Sequence, residues 1–561
     1  MGTFLGTFLG YLWGKIMRAV VDIETDGLDA TKIHCIVAQN YQTGEKRQWI
    51  GEECRQFGGW SSRIDQFIMH NGLSFDAPIL NKFANAQIKP HQVRDTLVES
   101  QLYNPVRLGG HSLEAWGNRL GYAKGEFNEF AEYSEEMLEY CIRDTELTKR
   151  LAVLLEGEGK SFKPKAYELE RNVRIVIDRQ ERNGFAFNLR EGQLLLAKLE
   201  DEQHELKEQA DEMFKPVEKQ LKTKIKYIPF NIASRKQIAE RLMEKGWKPD
   251  KYTDKDNIII NEEVLSKIRG MPEAEMFSRY FLLQKRTGLL KSWVKECQED
   301  GRVHGKVLTL RTITGRMAHH KPNMAQVPAV HSPFGKECRS LWTVSNPETH
   351  RLVGTDANGL ELRCLAHYMD DKNFTSEVLI GDVHSANQIA AGLKTRDQAK
   401  TFIYAFLYGA GPAKIGKIIG GSSQAGKNLI KKFLANMPAL KTLRSDIQEA
   451  VQKEGTIKGL DGRRLQIRSE HSAVNTLIQG AGAIVCKQWL VEMDKRIRRS
   501  GLDAQLVVSV HDEYQFEVAK PDIKRFTQIT KEAIHQTQEI LSFKCDLDCA
   551  YKIGNNWAET H

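Results

Sequence analysis

Asp22 and Glu24 stand two residues apart in "RAVVDIETDGL", a run whose β-branched and apolar content predicts a strand. Residues i and i+2 of a strand share a face, so both carboxylates point the same way. Left unneutralised they repel and raise each other's pKa. Asp76, in "HNGLSFDAPIL", and Asp144, in "EYCIRDTEL", are further acids in the same part of the chain, and Tyr140 lies four residues before Asp144 on one helical face. Carboxylate ligands suit hard Mg²⁺ or Mn²⁺ and not zinc. Two such ions, about 3.5–4 Å apart, can activate a water and stabilise a leaving oxygen in phosphodiester cleavage. The plainer alternative for Asp22 and Glu24 taken alone is an exposed strand edge.

A second acidic set lies far along the chain. Asp356 ends the strand-like "RLVGTDA", and Glu361 falls in the first turn of the helix that follows. Asp512 and Glu513 are adjacent in "VVSVHDEYQFEV", where strict alternation forbids both from facing one side. If "VVSV" and "YQFEV" form a hairpin, His511 and Asp512 occupy its turn, alternation is relaxed there, and Asp512 can face Asp356. Such a pair can hold two metal ions for in-line phosphoryl transfer. Between them, "TRDQAKTFIYAFLYGAG" opens with a capping-box pattern, Thr395 to Gln398, and places Arg396, Lys400, Tyr404 and Tyr408 at intervals of four. Two cations followed by two rings match a triphosphate joined to a sugar and base. A solvated basic edge beside an aromatic core stripe gives the same pattern.

The elements that must position these residues divide the chain. With 561 residues several domains are expected. Short β runs and amphipathic helices fill the first 150 or so residues, with Ser134 as an N-cap, and the polar "GEGKSFKPKAY" marks a boundary near residue 160. A mostly helical stretch follows to about residue 300, with "REGQLLLAKLEDEQHELKEQADEMF" and "AEMFSRYFLLQKRTGLLKSWVKECQ" as an antiparallel helix pair. Strands and helices alternate after that. The net charge of +8 permits a polyanionic partner without requiring one. Nine scattered cysteines without CxxC spacing argue for a reduced compartment and against a zinc or disulfide framework. No stretch is long enough to span a membrane. "MGTFLGTFLGYLWGKIM" repeats GTFL and lacks the basic region of a signal peptide, so residues 1–16 read as a dispensable extension before a strand opening at Met17.

The first acidic set, with Tyr140, resembles the DEDD proofreading exonucleases. That resemblance implies an RNase H-like α/β fold, metal ligation by Asp22, Glu24, Asp76 and Asp144, orientation of the attacking water by Tyr140, and 3′→5′ exonuclease activity. "DANGLELR", "RDQAKTFIYAFLYGAG" and "VHDE" resemble motifs A, B and C of the family A DNA polymerases, and "TITGRMAHHKPNMAQVP" and "NTLIQGAGA" match two further family segments in order. "GLELRCLAHYM", "HSLEAWG" and a chain ending in Asn-Trp-Ala and a final His point to the replicative polymerases of short-tailed bacteriophages.

The resemblance implies a multi-domain α/β chain: an extension (1–16), an exonuclease domain (17–160) and a right-hand polymerase domain (161–561) with thumb about 190–297, palm about 300–380 and 451–561, and fingers about 381–450. Asp356 and Asp512 would bind two Mg²⁺ ions, with Mn²⁺ as an alternative, helped by the Ala357 carbonyl, and Glu513 would support them. Arg396, Lys400 and His384 would hold the triphosphate, with Lys400 placed to protonate the leaving pyrophosphate. Tyr404 and Tyr408 would meet the nucleotide and templating base. Arg316, Asn475, Gln479 and His511 would contact the minor groove or primer end. Asn358 stands where many members carry Tyr or Ser. Glu361 would exclude a ribose 2′-OH, which argues against a single-subunit RNA polymerase. Intact acids at both sites argue against a catalytically silent DNA-binding protein, and a repair polymerase would carry a 5′-nuclease domain for which this sequence has no room. The expected partners are primer-template DNA and dNTPs, with a phage helicase-primase or single-strand binding protein beside them, in the host cytoplasm. Thioredoxin is not expected as a partner, because only "KPVEKQLKTKIKYIP" intervenes where a thioredoxin-binding insertion would stand; its Lys219, Lys222, Lys224 and Lys226 could grip duplex phosphates, or form a solvated loop.

Overall fold

The first strand, Arg18–Thr25, is buried on both faces, which suits its β-branched residues: Val20, Val21 and Ile23 are all inside. It pairs antiparallel with Ile33–Asn40 and parallel with Gln66–Met69, and Lys46–Ile50 (strand 3 of the chain) and Val93–Asp95 (strand 5) extend the two edges to a five-stranded sheet of order 3-2-1-4-5. That mixed order is the one expected of an RNase H-like fold. The structure is a computed structural model and describes residues 16–220, 225–253 and 255–561. Most of the proposed N-terminal extension therefore lies outside the described residues. Helix Glu135–Gly159 packs on the first two strands, and its start is fixed by Ser134, whose hydroxyl accepts from the Met137 amide at 3.2 Å. The helix ends at Gly159, and Pro164 opens the next, Pro164–Asn183.

The second sheet has four antiparallel strands in the order Ala504–Val510, Glu513–Ala519, His350–Ala357, Cys549–Gly554. Helix Ala473–Ser500 crosses behind it, with Trp489 fully buried and its indole N–H donating to the Thr530 carbonyl at 2.9 Å. Gly354, in the central strand, is required by packing: a Cβ there would lie 2.4 Å from Gln515 Nε2 and 2.6 Å from the Thr560 carbonyl. A group of helices between Lys372 and Glu454 stands beside this sheet around Phe402, Phe406 and Phe433.

The long helices Leu189–Met213 and Pro272–Glu296 pack antiparallel, as expected: Ala210 and Phe214 meet Phe277, while Glu200 pairs with Lys291 at the other end. The segment between them carries a short hairpin, Val217–Gln220 with Ile225–Ile228. Of its four lysines, Lys222 and Lys224 lie outside the described residues and Lys226 is exposed. A buried ionic knot ties helix Pro164–Asn183 to helix Ala473–Ser500 and to the segment at Asp461–Arg463. Lys487 Nζ contacts Glu170 at 2.7 and 2.8 Å, and Arg463 spans Glu170 and Asp461 at 2.7 and 2.6 Å. Burial is the main reason the Lys487 amine falls to about 8.

Candidate active sites

The first sheet brings the four expected carboxylates into one cleft of about 710 Å³. Asp22 and Glu24 project from the central strand, Asp76 begins helix Asp76–Phe83, and Asp144 and Tyr140 come from helix Glu135–Gly159. Burial raises all four carboxyls. Asp22 rises well above its usual range, Glu24 to about 8 and Asp76 to about 7, with Asp144 adding repulsion to both members of the strand pair. Lys124 Nζ meets Asp144 Oδ2 at 2.9 Å and sits 4.9 Å from the Tyr140 ring centre, while the other Asp144 oxygen is buried without a partner. Cys141 donates to Asp22 Oδ2 at 3.6 Å. Four acids whose charged forms are disfavoured by burial and mutual repulsion gather around the one lysine, Lys124, that pairs with them among the described residues, and hard divalent cations would relieve that penalty.

At the second sheet, strands Ala504–Val510 and Glu513–Ala519 form the expected hairpin, with Val510 opposite Glu513 and a two-residue turn of His511 and Asp512. His511 takes a left-handed φ of 57°, the sign a tight hairpin demands at this position and a strain of about 1–2 kcal/mol for a non-glycine residue. The turn returns the chain beside the central strand, where Asp356 pairs with Glu513 and the Ala357 amide donates to the Asp512 carbonyl at 3.2 Å. The two adjacent acids then part. Asp512 stays at the turn, its carboxyl raised by burial. Glu513 turns inward and accepts from Trp557 Nε1 at 2.5 Å, Gln515 Nε2 at 2.6 Å and His561 Nδ1 at 2.8 Å. Burial pulls the Glu513 carboxyl up, but hydrogen bonds from His561 and Trp557 prevail and hold it below its usual range. The Asp356 carboxyl rises to about 7, first by withdrawal from bulk water and then by repulsion from Asp512 and Glu513. Asp356 and Asp512 are thus raised neighbours, Lys552 near the first and Arg316 near the second failing to offset burial, which fits a pair of divalent ions.

Glu361, in the first turn of helix Leu360–Met369, accepts the Tyr408 hydroxyl at 2.8 Å on both oxygens and Arg316 NH2 at 3.1 Å. Together with His511 and Asp512, Arg316 and Glu361 line a small cavity beside the acidic pair.

A profile of DNA polymerase family A matches residues 200–559. This chain is a family A DNA polymerase. The DNA-directed DNA polymerases of Enterobacteria phage T3 and Escherichia phage T7 are each 32% identical to it, over 97% of this chain and 100% of theirs. DNA polymerase I of Treponema pallidum (strain Nichols) is 24% identical over 96% of this chain and 55% of its own length. Among solved structures, the POL domain of Pol1 from M. smegmatis, in complex with DNA primer-template and dNTP, superposes with a TM-score of 0.82 over 98% of this chain and 97% of that one. At 18% identity this likeness speaks for the fold.

The polymerase gathers the remaining expected residues on the helical side of the second sheet. Helix Arg396–Leu407 starts at Thr395, whose hydroxyl accepts from the Gln398 amide at 3.2 Å. It stops one residue short of Tyr408, which leaves the stripe as the cap residue and is thereby free to reach Glu361. Arg396, Lys400 and Tyr404 stay on the helix with His384 opposite, its ring 6.0 Å from that of Tyr404 and its Nδ1 buried without a partner. Asn475 and Gln479 are four apart on helix Ala473–Ser500, both half-buried.

Three residues escaped the sequence reading. Asp382 holds Arg396 through contacts of 2.8 and 3.1 Å while capping helix Val383–Ala391, so Arg396 meets any triphosphate already paired. Lys124 sits in "GYAKGEF", which has no periodicity to betray it. Cys141 precedes Asp144 by three, so helical spacing alone could have placed it beside the acids.

Proposed function

We propose that the polymerase extends a primer on a DNA template with dNTPs at the second sheet and excises 3′ ends at the first. The carrying observation is the convergence of Asp356 and Asp512 at the hairpin turn, beside the Glu361, Tyr408 and Arg316 cluster. Asp356, Asp512 and the Ala357 carbonyl would hold two Mg²⁺ ions, which when bound supply charge stabilisation to the attacking and leaving oxygens. Arg396 and Lys400 then orient the triphosphate, with Arg396 released from Asp382 as the phosphates arrive, and His384 donates to the same group. Glu361 fills the space a ribose 2′-OH would need. Arg316, His511, Asn475 and Gln479 face the primer-template duplex.

In the exonuclease cleft Asp22, Glu24, Asp76 and Asp144 would hold the second pair of ions, and Tyr140 orients the attacking water. The sheet-bearing segment to residue 160 serves as the exonuclease domain, and the rest as palm, fingers and thumb with the boundaries given above. Primer-template DNA and dNTPs are the partners. Without thioredoxin, the enzyme is either modestly processive alone or works with another replisome protein, such as a phage helicase-primase or single-strand binding protein, in the host cytoplasm. Among the described residues no helix is long and apolar enough to cross a membrane.

Primer extension with dNTPs or rNTPs, with and without EDTA, tests this reading. Asp356→Ala and Asp512→Ala should each abolish extension and leave single-strand digestion, whereas Asp22→Ala should do the reverse. Extension at the wild-type rate in either of the first two, or undiminished digestion in the third, would remove the corresponding site.

A further inference from the structure

The segment from Lys306 to His320 touches both sites and is fastened along its length. Arg174 donates to the Val307 carbonyl at 2.8 Å, and Lys487 donates to the Thr309 carbonyl at 2.8 Å from within the buried ionic knot. The next residue, Leu310, is only 4% exposed and packs into the core of the first sheet-bearing domain, although it belongs to the family-matched part of the chain. A tight turn follows: the Gly315 amide donates to the Thr312 carbonyl at 2.9 Å, with Gly315 at φ 75°, where side chains are disfavoured. Arg316 then reaches Glu361 at the polymerase site.

Arg311 lies between these anchors. Fixed by Leu310 on one side and the turn on the other, it lines the exonuclease cleft with Asp22, Glu24, Tyr140 and Asp144. It is exposed, and among the described residues no carboxylate pairs with it. Lys124 also lines the cleft, but it is engaged by Asp144. The acids of the cleft repel the phosphates of an entering strand, apart from the phosphate that metal ions would receive. A guanidinium aimed into the same space offers a planar pair of donors to a neighbouring phosphate.

We propose that Arg311 binds a backbone phosphate of the 3′-terminal single strand in the exonuclease cleft, so that one loop addresses a primer end at both sites, through Arg316 at the polymerase site and Arg311 at the exonuclease site. The inference rests on the exonuclease reading of the first cleft. It makes Arg311 a strand-binding residue that acts on affinity and on the share of primer ends that enter the cleft.

The test uses the full chain and its Arg311→Ala and Arg311→Lys variants, with thermal melting to confirm that each folds. Single-stranded oligonucleotide digestion should show KM raised about tenfold or more in Arg311→Ala, as expected for one lost charge-assisted contact, with kcat little changed and Arg311→Lys in between. Binding of the same oligonucleotide in EDTA, followed by anisotropy across a salt series, should show the slope of log K against log[salt] reduced by about 0.7, the value for one phosphate on a single strand. Excision from a mismatched primer-template should fall relative to extension. Unchanged KM and salt slope in Arg311→Ala, in a preparation where Asp22→Ala abolishes digestion, overturns the role of Arg311 and leaves the exonuclease reading standing. If the wild-type chain digests nothing, the exonuclease reading fails and the salt slope in EDTA still decides whether Arg311 binds the strand.

Discussion

Replacing Glu513 by alanine should cost stability before it costs chemistry. Its carboxylate is the shared acceptor of three donors, and two of them, Trp557 Nε1 and Gln515 Nε2, belong to side chains with no exposure to water. A buried donor left without a partner costs about 1–3 kcal/mol, so these two together come to about 2–6 kcal/mol. His561 is partly exposed and adds little. At about 2–4 °C per kcal/mol for a large domain, Glu513→Ala should melt about 4–24 °C below wild type, and Glu513→Gln, which keeps one carbonyl acceptor, about half as far. The pH dependence has a definite sign. The Glu513 carboxyl is held below its usual range in the folded chain, so its stabilisation is complete above the unfolded value of about 4.3 and is lost as pH falls through the folded one. The gap between wild type and Glu513→Gln should be steady from pH 8 to 5 and close on further acidification. Differential scanning calorimetry reads both effects, and a magnesium titration of primer extension separates anchor from ligand. An alanine variant melting within a degree of wild type, or a Glu513→Gln variant whose magnesium requirement rises as far as that of Asp512→Asn, would refute the anchoring role.

Glu361→Ala should admit rNTPs and also slow dNTP extension about tenfold or more, because it releases both Tyr408 and Arg316; Glu361→Gln should retain more of both properties, and unchanged rNTP discrimination in the alanine variant would exclude the gate. Tyr404→Phe should lower dideoxynucleotide incorporation relative to deoxynucleotide, on the proposal that the Tyr404 hydroxyl stands in for the missing 3′-OH; an unchanged incorporation ratio would count against that role. In EDTA, Asp356→Asn should melt above wild type at pH 8 and converge with it below pH 4. The folded carboxyl at about 7 lies above its unfolded value, so its contribution is fully favourable in acid and is lost as pH rises through 7; equal melting temperatures at pH 8 would mean that Asp356 carries no such load.

Spacing alone determined much of this polymerase. The i, i+2 acids at Asp22 and Glu24, the i, i+4 pair Tyr140 and Asp144, and the Arg396, Lys400 and Tyr404 stripe are consequences of strand and helix periods, and local periods are written in the sequence. The hairpin at His511 and Asp512 was legible for the same reason, since alternation fails there and only a turn can accommodate both acids. What the tertiary structure alone decided are contacts between separate elements, whether a few tens or some hundreds of residues apart. Glu513 and Asp512 look equivalent in sequence, but the C-terminal Trp557 and His561 reach back and draw only Glu513 inward. Lys124 and Arg311 enter the exonuclease cleft from loops without periodicity, and Arg311 does so because Leu310, 144 residues beyond Ala166, fills the same core. Asp382 neutralises Arg396 because two helices happen to begin side by side. Local periods fix which side of an element a residue occupies, whereas the partner across the gap depends on long-range packing, which no short window of sequence records.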